Sequence, residues 1–456
     1  MNETFPGARR TITAAAAARA QHDARRLQPG ELSLLLILAL VQFTIAVDFI
    51  IMLPLGPQLM RAFGINTAQF NLAVAAYAFA AGVSGLAAGF FLDRFDRKRA
   101  LLGLYAGFTV GTLFCALAPS YPLLVAARAL AGLFGGIVGG NLIAIVGDVI
   151  PEQRRGAAVG VVMSAFSLAQ IAGVPFGLLL ANRMNWHTPF LALAGLSALI
   201  WLGAGARLPL LRTHLDAIGA AESSVQRMRG VLFNRNHLVA LALMAIITLA
   251  GYLVFTDLAT FLVKNVGVSE HQLPWIYVCG GAFTIFTMSG FGRLADRFGK
   301  RRIYTVMIFF AAVATLAVAH LPSGLRLGLV LIFTTAFTVC MSGRFVPAMA
   351  YVTACIEARH RGGFLAVNSS VSNAIAGLAA WLGGMFLGEI PTSPGADTTR
   401  LVGYDTVSWA SAALSVASLL LIYQLRQVEG SSATATGQAE TADPLEAAPV
   451  PTELVG

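Results

Sequence analysis

Twelve apolar segments, each close to bilayer-spanning length and separated by polar breaks, constrain this 456-residue chain more than any other feature. They run 34–56, 70–92, 100–119, 122–147, 157–180, 187–208, 237–263, 272–292, 303–320, 326–350, 364–388 and 405–425. A helix rising 1.5 Å per residue needs about 20 apolar residues to cross a hydrocarbon core about 30 Å thick. Lipid offers the backbone no hydrogen-bond partners, so runs of this length are helices, which satisfy themselves. The composition agrees, at 57% apolar and 12% charged with mean hydropathy +0.73, where soluble chains carry roughly a quarter charged residues. The fold class expected is an all-α membrane protein of twelve transmembrane helices.

An even number of spans puts both termini on one side. Of the 31 lysines and arginines, 24 fall on that side. Five (Arg61, Arg183, Lys264, Arg326 and Arg400) fall on the other, and Arg128 and Arg344 lie inside spans. Positive charge concentrates on the cytoplasmic side of membrane proteins, so both termini are expected in the cytoplasm and the chain in the cell inner membrane. The net charge of +9 is therefore a topology signal and implies no nucleic-acid partner. The run from Leu34 is too long for a signal peptide and lacks a small-residue cleavage site, so it is read as the first span.

The polar stretch 209–236 divides the spans six and six. The expected domains are a cytoplasmic tail 1–30, a six-helix bundle 31–208, the linker 209–236, a second bundle 237–426 and a tail 427–456. Both tails are poor in periodic apolar residues, and disorder is expected there. A repeat supports the division: Gly89-Phe-Phe-Leu-Asp93-Arg94-Phe95-Asp96-Arg97-Lys98-Arg99 returns 203 residues later as Gly292-Arg-Leu-Ala-Asp296-Arg297-Phe298-Gly299-Lys300-Arg301-Arg302. Each copy is placed in the loop after the second span of its half. Paired halves of this kind recur among transporters.

The cysteines (Cys115, Cys279, Cys340, Cys355) show no paired spacing, the seven histidines form no ligand cluster, and no phosphate-cradling glycine loop with Lys and Ser or Thr is present. No metal, disulfide, cofactor, ATP drive or enzymatic centre is implied.

On these motifs the chain resembles the major facilitator superfamily over nearly all of 31–426. The repeated segment is similar to that family's cytoplasmic signature, departing at Asp96 where glycine is usual. The resemblance implies two pseudo-symmetric six-helix bundles, alternating access, and gating contacts from Gly89, Asp93, Arg94, Arg97, Gly292, Asp296, Arg297 and Arg301. The alternative for these residues is a purely topogenic basic loop.

Charges inside spans are costly and mark function. Arg128-Ala-Leu-Ala-Gly132-Leu-Phe-Gly135 is similar to a pattern that the resemblance associates with proton coupling, and Asp48 precedes Pro54 and Pro57 as in a family element. Both charges lie about 9 Å from the outer face by helical rise, so they can pair. The pair is either a switch that takes a proton when substrate breaks it or a static ion pair. Asp257, 209 residues after Asp48, is read as its near mate and a second proton or cation site, or as part of an outer gate where span 7 breaks. Arg344 binds an anionic group, pairs with an acid, or snorkels.

Gly173, Pro175 and Gly177 in the fifth span loosely resemble the signature of export branches, including drug:proton antiporters. Gln42, Asn141, Tyr252, Asn368 and Asn373 are candidates for the cavity or for helix-packing hydrogen bonds. The function expected is export of a drug or metabolite by proton antiport, by a monomer whose partners are a small-molecule substrate, protons and the lipid bilayer. Sugar efflux or proton symport, and a non-transporting sensor, are the alternatives.

Overall fold

The computed structural model describes residues 29–209, 230, 233–357, 360–391 and 399–426. The tails and most of the linker lie outside the described residues. Among those described, twelve helices are long and apolar enough to cross a membrane: Gly30–Ile51, Thr67–Phe91, Arg97–Leu117, Tyr121–Val149, Arg154–Arg183, His187–Arg207, Arg235–Val266, Leu273–Phe298, Lys300–Ala319, Leu327–Ala354, Arg361–Phe386 and Tyr404–Gln424. They are spans 1 to 12 below. Their polarity is that of a protein solvated by lipid. Phe286 and Leu420 are 79% and 69% exposed, whereas Asp48, Arg128 and Asp257 are fully buried.

Local chemistry sets the ends. Span 1 stops at Ile51, short of the expected 56, and a short helix Gly56–Phe63 follows the turn containing Pro54. Proline lacks an N–H and collides with the preceding turn, so the helix restarts with Pro57 in its first turn. Span 2 begins on a capping box: Asn66 Oδ1 accepts from the Gln69 N–H, and Gln69 Oε1 accepts from the Asn66 N–H. Span 5 carries a π-turn at Ala169–Gly173, immediately before Pro175.

The two copies of the repeat differ in form. Leu92–Arg94 is a turn of 3-10 helix, and Asp96 then caps span 3 by accepting from the Arg99 N–H at 2.9 Å. The cap thus makes the turn that glycine makes elsewhere. In the second copy span 8 runs on to Phe298, so Gly292, Asp296 and Arg297 lie in a helix and not in the expected loop. No breaker precedes Gly299, whose φ of +94° makes the sharp turn into span 9. A further departure follows span 11, which ends at Phe386. The chain there forms an antiparallel pair, β1 (Gly388–Pro391) and β2 (Thr399–Val402), that no apolar pattern signalled.

Spans 1–6 and 7–12 meet along two seams, span 2 on span 11 and span 5 on span 8. Gly384 of span 11 lies so close to Ala68 and Asn71 of span 2 that a Cβ there would reach Asn71 Cβ at 2.9 Å. Small residues permit this approach. On the face opposite the termini one apolar core joins both halves, including Ile50, Val74, Leu253 and Ala379. Toward the basic face, the two large buried clusters each draw their buried members from one half, around Leu35 and Val146 in the first and Tyr304 and Val352 in the second.

Candidate functional site

Glycine packing positions the charged residues. Span 4 turns Gly132, Gly135 and Gly136 toward span 2, where a Cβ on Gly132 would lie 2.2 Å from the Tyr77 carbonyl oxygen. That approach sets the Tyr77 ring beside Arg128, with the guanidinium carbon 4.3 Å from the ring centroid. Gly173 and Gly177 of span 5 face Val47 and Ile51 of span 1. The glycines of the span-5 motif thus seat the helix that carries Asp48, while Pro175 lies in the first turn of the helix that resumes after the π-turn.

Asp48 and Arg128 pair as their matched depths predicted. Arg128 Nη1 lies 2.8 Å from Asp48 Oδ2 and 3.3 Å from the Asp48 carbonyl oxygen, and the Thr112 hydroxyl donates to Asp48 Oδ1 at 3.2 Å. Neither side chain is exposed at all. Arg128 Nε and Nη2 have no hydrogen-bond partner. The pair therefore retains unused donors beside the Tyr77 ring.

Asp257 is placed differently. Span 7 breaks after Phe255, and Asp257 stands at the break, before the short helix Leu258–Phe261. It lacks the arginine partner that Asp48 has, for no arginine among the described residues pairs with it. Its Oδ2 accepts instead from Asn71 Nδ2 of span 2, across the seam, at 2.9 Å, and its Oδ1 has no hydrogen-bond partner. Asn71 was not singled out from the sequence, because one amide in an apolar run gives no sign of whom it faces.

Arg344 does not snorkel, since it is 1% exposed, and it pairs with no acid among the described residues. Nη1 donates to Ser415 Oγ of span 12 at 2.5 Å and Nη2 to the Ile247 carbonyl oxygen of span 7 at 3.1 Å. Span 10 passes through the interior of the second half at this level, leaving the long side chain no route to water.

The cavity candidates separate. Tyr252 is half-buried between Phe49 of span 1 and Phe255, at ring distances of 5.9 and 6.3 Å. Asn141 donates to the Arg97 carbonyl oxygen at 3.3 Å, a helix-packing bond near the basic face. Gln42 and Asn368 are buried, and Asn373 is half-buried. In the repeated motif Arg97 donates to Asp148 of its own half at 2.9 Å, and Arg301 lies over the Tyr423 ring of its own half at 3.5 Å. Arg94, Asp296 and Arg297 are exposed, and the Asp93 side chain lies outside the described residues.

On the opposite face polar contacts cross between halves. Arg61 pairs with Glu270 at 2.6 Å, and Asn182, which accepts from Gln58, donates to the Glu270 carbonyl oxygen at 2.9 Å. Glu389 of β1 accepts at Oε1 from both the hydroxyl and the N–H of Thr67, at 2.5 and 3.0 Å, and so caps span 2 of the other half. Its Oε2 accepts from Lys264 at 2.5 Å and Thr399 at 3.0 Å. Burial pulls the Glu389 carboxyl upward, but hydrogen bonds from Lys264, Thr67 and Thr399 and the Lys264 charge outweigh it and hold the group below its ordinary value. Nothing in the sequence distinguished this residue, one acid just beyond an apolar run.

Comparison with known proteins gives the lineage of this architecture. The profile of the Major Facilitator Superfamily matches residues 38–343 and 240–452. The inner membrane transport protein YdhP of Escherichia coli K12 is 25% identical over 396 residues, 85% of this chain and 95% of that protein. A chloramphenicol resistance protein of Streptomyces lividans is 26% identical over 243 residues, 53% of this chain and 62% of that protein. The solved structure of a D-xylose–proton symporter aligns with a TM-score of 0.68 over 86% of this chain and 97% of that one, at 14% identity, a likeness of fold alone.

Proposed function

The chain belongs to the Major Facilitator Superfamily, and we propose that within it the protein exports a small organic molecule across the inner membrane by proton antiport. The observation that carries this reading is Asp257, a fully buried carboxyl whose hydrogen-bond partner is a neutral amide across the seam. An ionised carboxylate held in protein interior without a counter-charge costs several kcal/mol. The closed seam therefore holds Asp257 as the neutral acid. Tyr404, a titratable group that interacts with it, brings no positive charge. With the seam open, the ionised group meets water and resists reclosure until it takes a proton from the outer side. A proton thus licenses one conformation, which is what coupling requires.

Asp48 and Arg128 supply the second half of the reading. The unused donors on Arg128 suit an acceptor group of a substrate, and a substrate that draws Arg128 away leaves Asp48 free to take a proton. On this reading the basic face is cytoplasmic, the joined face is the outer one, and the protein acts as a monomer. Similarity to a chloramphenicol resistance protein supports a drug-like substrate and outward transport, as do Gly173, Pro175 and Gly177.

The test is proton movement in proteoliposomes on addition of candidate compounds, comparing wild type with Asp48→Asn and Asp257→Asn. Asp257→Asn is expected to exchange substrate without moving protons, and Asp48→Asn to lose transport. Full rate and unchanged pH dependence in both variants would contradict the assignment.

A further inference from the structure

We propose that Arg344 is the centre of a buried site for a small inorganic anion, chloride under ordinary ionic conditions, enclosed between spans 7, 9, 10 and 12. Arginine is protonated under all ordinary conditions, and this one is 1% exposed. Removing a guanidinium from water costs several kcal/mol unless a counter-charge accompanies it. Among the described residues, every carboxylate on the elements around it is out of reach. Asp257 is ten residues along span 7 from Ile247, and Asp405 is ten residues along span 12 from Ser415, each about 15 Å by helical rise. Glu357 lies beyond the end of span 10, and Asp296 is exposed near the basic end of span 8. Glu389 is committed to Lys264 and Thr67 on the opposite face.

The groups that Arg344 does meet are the Ser415 hydroxyl and the Ile247 carbonyl oxygen. Ser415 Oγ accepts from Nη1, so its own proton is free to be donated. One turn further on span 12, Ser418 Oγ shares a hydrogen bond of 2.5 Å with the Tyr304 hydroxyl of span 9. Ser418 Oγ also donates to the Ser415 carbonyl oxygen, so the Tyr304 proton is committed to Ser418, and Tyr304, the titratable neighbour, brings no negative charge at neutral pH. Arg344 Nε, on a side chain enclosed on every side, has no hydrogen-bond partner. Gly251 of span 7 lets the guanidinium pack against the backbone, since a Cβ there would stand 3.2 Å from Nη2. A permanent cation, a free guanidinium donor and a hydroxyl with an uncommitted proton make an environment of donors without an anion. Donors of this kind replace the hydration shell of a halide, and the ion neutralises the arginine so that spans 7, 10 and 12 can pack.

The test is thermal unfolding of the purified full-length protein in chloride against gluconate at constant ionic strength. Wild type is expected to unfold several degrees higher in chloride, with a saturable dependence on its concentration, as for any ligand that binds only the folded state. Bromide is expected to substitute and to give an anomalous diffraction peak within hydrogen-bond distance of Arg344 Nε. Ser415→Ala, which keeps the arginine, is expected to raise the half-saturating chloride concentration about tenfold by removing one donor to a charged ligand. Arg344→Gln is expected to abolish the dependence. Should that variant fail to fold, the wild-type and Ser415→Ala titrations decide alone. Equal unfolding temperatures in chloride and gluconate overturn the proposal, as does a chloride dependence that Ser415→Ala leaves unchanged.

Discussion

Arg128 is neutralised by Asp48 and backed by the Tyr77 ring, with neither charged side chain exposed. Removing one partner of such a pair leaves an uncompensated charge, whereas removing both leaves none. Asp48→Asn is therefore expected to destabilise the protein by about 3–5 kcal/mol. The double variant Asp48→Asn with Arg128→Met is expected to be more stable than the worse single variant, as read by unfolding of the purified proteins. Additive losses would show that the two do not act as a pair. This pairing was legible in the sequence because two lone charges stood in apolar runs at the same depth. The partner of Asp257 was not, because Asn71 lies 186 residues away and its amide resembles any packing amide. Arg344 was legible as unusual and not as buried, since a long side chain reaches water or protein equally well until the path of its helix is known.

At the scale of elements, β1 and β2 hold a latch between halves. Asn265 of span 7 clasps the pair by exchanging hydrogen bonds with Leu401, and Glu389 reaches from it to the first turn of span 2. Because the folded Glu389 carboxyl is held below its ordinary value, the stabilisation it brings is present above the usual glutamate range and lost only as pH falls through the lowered value. The latch is thus intact between pH 5 and 8 and does not itself sense a neutral gradient. Glu389→Gln is expected to weaken the joined face by about 1.5–3 kcal/mol, the worth of hydrogen bonds to a charged group. Faster labelling of a cysteine placed at Thr256, buried beneath the seam, would report it, and unchanged labelling would remove the latch from the account. Gly299→Ala is expected to cost about 1 kcal/mol or more, since alanine is strained at a φ of +94°. The twelve spans were legible from length and apolarity to within a few residues at most ends. The strand pair was not, because strands of four residues are too short to show an alternating pattern, and the break before the short helix Gly56–Phe63 was hidden because the apolar run of span 1 continues past Pro54.

For the molecule as a whole, the partition of basic residues separated the two faces before any contact was known. The conformation is invisible to that partition. It is set by a shared apolar core on one face, by Arg61 with Glu270, and by Thr67 with Glu389. Such contacts join residues distant in sequence, so no periodicity encodes them. On the proposed reading a proton on Asp257 permits this face to close. This dependence on the proton is tested most directly by the distance between spin labels at Met184 and Ser323, exposed positions of the two halves on the joined face, measured from pH 5 to 9 in wild type and Asp257→Asn. The wild-type distance is expected to lengthen as pH rises, while the distance in Asp257→Asn does not change with pH. The same pH dependence in both proteins would contradict the proposed reading.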